Sequence, residues 1–305
     1  MPVSIRLVDS LEAVEHFRVL EHLIWGEPLA ATIPAHVIVT VIHNGGGLLA
    51  AYADDGPAET GGMVGLTYWW PGLSVPTTTA EGRVVKANPP GAQASSPAPL
   101  RLKMCSHMAG VLPAWQGTGL GLRLKLAQRA AILEQGMSDW VTWTYDPLLR
   151  TNGAFNLHRL GAICNTYHVN LYGELPDELN AGIPSDRCQV DWWLTSGRVE
   201  ECSQERPVGT TRQAQIPAPS DAQVLSGTWD NRGFLTPPAL LPKTTGVALA
   251  LPVPDDIYTI RAVDYGLGHA WRLWMREALQ TTFAAGYLLT DCVRHADGQW
   301  RYLLT

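Results

Sequence analysis

The sequence predicts a mixed α/β protein, and three observations carry that prediction. Strand-like and helix-like patterns follow one another in the order β-α-α-β-β-β-α-β-α-β-β over the first two thirds of the chain. That order is neither an alternating βαβ series nor a run of short strands, so it implies a mixed sheet in an α/β or α+β layer structure. The chain has 305 residues, 46% of them apolar, which is enough for a substantial core and for one to two domains. Two polar, proline-rich stretches interrupt the pattern, residues 74–99 and 197–222. The first reads as a long mobile loop and the second as a linker. The expected organisation is a main domain over 1–196, a linker over 197–222 and a C-terminal unit over 223–305.

The elements follow from local pattern. Residues 3–8 alternate apolar and polar side chains, as a half-buried strand does. Asp9 or Ser10 can cap a helix through Trp25, in which Leu11, Val14, Phe17, Leu20 and Ile24 recur every three or four residues. A shorter helix covers 34–43 and ends at Gly45. Strands at 47–52 and 63–69 flank the turn residues 54–57. Further strands are expected at 100–111, 140–145, 162–172 and 188–195, with helices at 118–135 (stopping at Gly136) and 152–160. The C-terminal unit reads βαββ: a strand at 247–253, a helical region over 255–285 broken near Gly266 and Gly268, and a hairpin turning at Asp297-Gly298. It carries no chemical motif, so packing is its expected role, with dimerisation into a homodimer the alternative.

Composition excludes several functions. Charged residues make up 16% of the chain and the net charge is −6, with no basic stripe for nucleic acid. No apolar run is long enough for a membrane helix, and the N-terminus lacks the pattern of a signal peptide. The five cysteines and nine histidines are scattered without metal-ligand spacing, so no metal site is expected and the thiols read as free in a reducing cytoplasm.

The chemistry lies in Cys105-Ser-His-Met-Ala-Gly-Val-Leu-Pro-Ala-Trp-Gln-Gly-Thr-Gly-Leu-Gly121. A strand runs into a loop with Gly117, Gly119 and Gly121, and a helix follows at once. Glycines let backbone amides converge on a ligand, and the helix start adds unpaired N–H groups and the positive end of a dipole. Together they make an anion site. It is not a Walker loop, since no Lys-Ser or Lys-Thr follows. Nor is it a dinucleotide fingerprint, because residue 122 is Leu and the strand at 140–145 ends without an acidic residue. Gln116-Gly-Thr-Gly-Leu-Gly121 fits a Gln-x-x-Gly-x-Gly loop instead.

This stretch, with the element order around it, resembles the GCN5-related N-acetyltransferases (the GNAT superfamily) over residues 3–195. The resemblance implies a GNAT-like fold, acetyl-CoA or another acyl-CoA as co-substrate, and direct acyl transfer to an amine, here taken to be that of a small molecule. It assigns Gln116, Gly117, Thr118, Gly119, Leu120 and Gly121 to the pyrophosphate, and Ala109, Gly110 and Val111 to the pantetheine arm, beside a splayed strand at 140–145. It further assigns Asn152 and Asn156 to the cofactor. The family's usual tyrosine position holds Leu157 and the residue after Gly161 is Ala162 rather than Phe. The general acid is therefore left among Asn156, His158 and Tyr145. A non-catalytic acyl-CoA binder is the alternative that this missing tyrosine raises.

His107 is a candidate general base, since it sits on the strand beside the cofactor and titrates in the right range. Glu27, after the first helix, is a second candidate, with a solvated carboxylate as its plainer reading. Arg123 and Lys125 read equally as contacts to a cofactor phosphate and as solvated charges on a helix face. The twelve tryptophans, Trp69 and Trp70 among them, read first as sheet packing and second as the wall of an acceptor pocket.

Overall fold

The computed structural model describes residues 3–26, 28–85, 99–173, 183–204 and 222–305. The chain divides into two compact units, Met1–Val75 with Ala98–Trp143, and Pro76–Pro97 with Thr144–Thr305.

The first unit begins with β1 (Val3–Leu7) and α1 (Leu11–Trp25). Ser10 caps α1 by accepting from the Ala13 amide, and Gly26, at φ 74°, ends it in the left-handed region. Then come α2 (Ala35–His43), β2 (Gly47–Ala53), β3 (Met63–Ser74), β4 (Arg101–Val111), α3 (Leu120–Gln135) and β5 (Trp140–Tyr145). The strands are ordered β1-β2-β3-β4-β5. All neighbouring pairs are antiparallel except β4 with β5, which is parallel. The core fills the space between sheet and helices with Phe17 and Leu20 of α1, Ile38 of α2, Leu48 and Leu66 of the sheet, and Leu124 of α3. The described part of the predicted mobile stretch, 74–85, is held in place: β3 reaches Ser74, Thr78 bridges Val84, and Thr78 is buried in the second unit. There it donates to an Asp191 carboxylate oxygen at 2.6 Å and accepts from the Trp193 indole at 2.9 Å. Two hydrogen bonds to buried groups hold what composition alone marks as loop. Residues 86–98 lie outside the described residues.

The second unit contains α4 (Arg150–Gly153), which continues as a π-helical turn over Ala154–Arg159, then β6 (Ile163–His168), β7 (Arg187–Trp193) and α5 (Gly197–Ser203). Three two-residue strands follow, β8 (Gln223–Val224), β9 (Thr228–Trp229) and β10 (Leu235–Thr236). The chain ends with β11 (Leu249–Val253), α6 (Ile257–Val263), α7 (Tyr265–Ala284), β12 (Leu289–Arg294) and β13 (Trp300–Leu304). Its sheet order is β7-β6-β12-β13-β11-β8.

Two expectations about this half need correction. The C-terminal βαββ strands do not stand apart: β12 pairs with β6 at Leu289↔Cys164, and the Tyr302 hydroxyl donates to the Pro147 carbonyl at 2.7 Å. Residues 197–203 of the expected linker form α5, capped by Ser196, while 205–221 lie outside the described residues. The helical region breaks near the glycines, as expected, at Asp264, two residues before Gly266. Asp264 is extended (φ −145°, ψ 91°) and caps α7 through the Leu267 amide. Gly268 is helical, and its missing side chain makes room for Arg261, whose Cγ would stand 2.5 Å from a Cβ there.

A buried ionic group ties this unit together. Asp146 accepts from Arg272, with Arg261 at 3.8 Å and Arg187 at 3.9 Å. Asp186 takes both Nε and an η nitrogen of Arg276, at 2.8 and 2.9 Å, and the Tyr167 hydroxyl at 2.7 Å. Burial works against the Asp186 carboxylate, yet these donors hold it below the usual carboxylate range. Among the described residues no single helix is long and apolar enough to cross a membrane, and no cluster of three metal-ligating side chains occurs.

Candidate functional site

The site is built where β4 ends. Strand β4 pairs with β3 along its whole length, but with β5 only at Met104↔Val141 and Cys105↔Thr142. From Ser106 onward the edge of β4 that faces β5 has no ladder partner among the described residues, and the two parallel strands diverge. Ala109, Gly110 and Val111 lie on this stretch, with Ala109 exposed and the other two half-buried. Exposed main-chain N–H and C=O groups on an extended edge can take up a ligand as a further strand would. Gly110 is required there for another reason: a Cβ would stand 2.9 Å from Ile24 and from the Trp25 ring, so its absence lets the end of α1 cross the strand.

A 3₁₀ turn over Pro113–Trp115 then leads into the glycine loop. Gly117 (φ 76°) and Gly119 (φ 84°) occupy the left-handed region that other residues enter at a cost. Gly119 is the N-cap of α3. A Cβ at Gly117, Gly119 or Gly121 would meet nothing within 4 Å, so the loop faces open space. Among the described residues the amides of 117–122 donate to no group; the first engaged amide is that of Arg123, bonded to the Gly119 carbonyl at 3.1 Å. Converging free amides at a helix start form an anion cradle. Two side chains brace it. Gln116 Nε2 donates to the Val111 carbonyl at 3.0 Å, and Thr118 Oγ1 donates to the Trp115 carbonyl at 2.7 Å. Gln116 thus acts on the protein's own backbone, while Leu120 turns its buried side chain into the core and offers only its amide.

The divergent parallel strands and the glycine loop between β4 and α3, set in the order β1-α1-α2-β2-β3-β4-α3-β5, decide the fold. It is the arrangement that the resemblance to the GNAT superfamily leads one to expect. No family model and no curated protein matches the sequence. Among solved structures the chain is similar to one from the NatC complex bound to Gag peptide and CoA, with 12% identity over 64% of this chain and 100% of that one, at a TM-score of 0.42. It is similar to the ribosomal-protein-S18-alanine N-acetyltransferase from Escherichia coli, with 12% identity over 69% of this chain and 99% of that one, at 0.41. It is also similar to an aminoglycoside N-acetyltransferase in complex with CoA, with 18% identity over 48% and 78%, at 0.32.

On this frame His107 occupies a special place. Tyr68 pairs with Met108 and Trp69 with Ser106, so His107 is the extra residue of a β-bulge where β4 leaves β5. A bulge re-aims its side chain. The imidazole lies 4.7 Å from the Trp70 ring and 6.4 Å, edge to face, from the Tyr68 ring. Loss of water on these faces lowers its pKa below the ordinary value, which keeps it neutral and able to accept a proton at neutral pH. It borders a cleft of about 470 Å³ between α2 and β3. Tyr68, which the sequence did not single out, reaches the same cleft. Its hydroxyl is buried without a hydrogen-bond partner, and burial and then the nearby Glu21 carboxylate push its pKa up to about 12.

The other expected residues fare differently. Glu27 lies outside the described residues. Tyr145 is not available as an acid: it is 4% exposed, and burial, followed by the neighbouring Tyr302, Cys188 and Cys164, pushes its phenol far up. Asn152 is exposed on α4, whereas Asn156 is buried and its carbonyl accepts from the Ala162 amide at 3.0 Å. Leu157, at the usual tyrosine position, is a core residue, and His158 is buried against Asp291 at 3.0 Å. The two charges on α3 differ: Arg123 is exposed, whereas Lys125 is not a solvated charge. Arg123 donates to the Val3 carbonyl at 2.7 Å. Lys125 is buried, with Nζ 2.6 Å from Gln128 Oε1, 3.1 Å from Ser106 Oγ and 3.8 Å from the centre of the Trp143 ring.

Proposed function

We propose that this protein is an acyl-CoA-dependent N-acyltransferase that moves an acetyl group from acetyl-CoA to an amine by direct attack. The observation that carries the reading is the cradle of free amides at 117–122, joined by Gln116 to the open edge of β4. In this reading the amides hold the pyrophosphate, with Gly117, Gly119 and Gly121 leaving room for it. Ala109, Gly110 and Val111 pair with the pantetheine arm and direct the thioester toward His107. The amine nitrogen attacks the carbonyl carbon, the C–N bond forms and the C–S bond breaks. His107 takes the ammonium proton, and its imidazolium returns one to the departing sulfur. Main-chain donors aimed at the developing oxyanion contribute roughly 3–4 kcal/mol of barrier lowering in comparable sites.

The test is thermal melting with acetyl-CoA, NAD and ATP. Binding to the native state adds about 2.7 kcal/mol at a hundredfold excess over the dissociation constant. A rise in melting temperature with acetyl-CoA alone is expected, and Gly119→Val, which forces a branched residue to a positive φ and places it among the phosphate-binding amides, is expected to remove it. A rise with NAD instead, or an unchanged response in Gly119→Val, would overturn the loop assignment.

A further inference from the structure

The cleft beside His107 says what kind of amine it admits, and the argument rests on the acyl-transfer reading above. Ile33, Val37 and Val41 form one wall, and Trp70 and Pro71 the other. No Asp, Glu, Lys or Arg lines it among the described residues. The two polar side chains along the α2 wall each give one hydrogen bond to the helix backbone. Thr40 Oγ1 donates to the His36 carbonyl at 2.8 Å, and Asn44 Nδ2 to the Thr40 carbonyl at 2.7 Å. A second ammonium group, a carboxylate or a peptide backbone entering here would give up water and find few partners, which is costly. An aromatic or aliphatic body loses nothing of that kind and gains the faces of Trp70 and of the valines. At about 470 Å³ the cleft is of the size that encloses a small molecule. It opens beside the bulge, so an amine carried on such a body is presented to the imidazole and to the edge of β4.

We infer that the acceptor is a small primary amine with an uncharged apolar body, of the arylalkylamine kind. The recognising residues are Val37, Val41 and Trp70, and His107 receives the proton.

The test measures thiol release from acetyl-CoA with phenethylamine, tryptamine and hexylamine against spermidine, lysine, kanamycin and a short peptide with a free N-terminus. The apolar amines are expected to show kcat/KM at least tenfold above every member of the second group. Val37 is 40% exposed on α2, so Val37→Asp keeps the fold. It is expected to lower kcat/KM for phenethylamine at least tenfold with unchanged acetyl-CoA affinity by calorimetry. Preference for the polyamine, the amino acid, kanamycin or the peptide overturns the inference. So does acetyl-CoA binding with no turnover on any apolar amine, or a Val37→Asp enzyme of unchanged selectivity. Absence of acetyl-CoA binding by the unmodified protein is a different failure, that of acyl transfer itself.

Discussion

Replacing Lys125 by methionine should make the protein more stable below neutral pH, and the reason is the position of its ammonium group. Lys125 is 3% exposed, and burial pulls its pKa down to about 7 from 10.5. In the unfolded chain it stays protonated until near 10.5, so between about 7 and that value the unfolded state binds the extra proton. Stability therefore rises with pH across this window, at up to about 1.4 kcal/mol per pH unit. From pH 6 to 8.5 the gain amounts to about 2 kcal/mol at most. The Trp143 face, 3.8 Å from Nζ, favours the charged form and brings the gain nearer 1 kcal/mol. Methionine keeps the length of the side chain and removes the titration. Its neighbours are not orphaned, since Ser106 Oγ and the Gln128 amide already lie 3.2–3.3 Å apart. The assay is the melting temperature of wild type and Lys125→Met from pH 6 to 8.5. Wild type should climb by roughly 2–3 °C relative to the variant, which should start higher. Parallel curves, or a variant less stable at pH 6, would refute the argument and mean that the ammonium ion is solvated or paired in the folded protein.

Three further outcomes follow from the site and the second unit. With acetyl-CoA and a competent amine, kcat/KM should rise with pH along a limb whose midpoint lies below the ordinary histidine value. His107→Ala should abolish that limb and lower kcat at least tenfold, with acetyl-CoA affinity unchanged by calorimetry. An identical profile would make His107 structural. Tyr68→Phe removes a buried hydroxyl that has no partner among the described residues, so the melting temperature should hold or rise; a fall in kcat in the same variant would show that the hydroxyl contacts a reactant. Asp146→Ala leaves buried guanidinium groups without their carboxylate and should cost about 3–5 kcal/mol, read as a lower denaturation midpoint. A loss below 1 kcal/mol would mean that the arginines find other partners.

What the sequence could reveal was local. The glycine loop needs only glycines, a preceding strand and a following helix, and it folds as those signals require. So do the Ser10 cap and the hairpin turn at Gly298 (φ 84°). Features that depend on pairing were hidden. Nothing in Cys105-Ser-His-Met marks His107 as a bulge, because a bulge is a mismatch between two strands and appears only once β3 is set against β4. The cleft beside His107 arises from that same pairing and from α2 lying over it. The burial of Lys125 was equally opaque, since α3 turns Lys125 and Gln128 inward along with Leu120, Leu124 and Ile132, and a residue-by-residue reading assigns lysine to water. In the second half, alternating patterns identify strands but not their neighbours. Sequence therefore gave the βαββ elements without revealing that they extend a sheet shared with β6 and β7.

The hydrogen bond from Gln116 to the Val111 carbonyl turns two binding surfaces into a gauge. It fixes the glycine loop at a set span from the open edge of β4. If acyl-CoA binds as proposed, a donor must bridge that span to bring its thioester level with His107, so the protein would read the length of the carrier before anything of the acyl group. An acyl thioester on a truncated arm would reach one end of the gauge or the other, but not both.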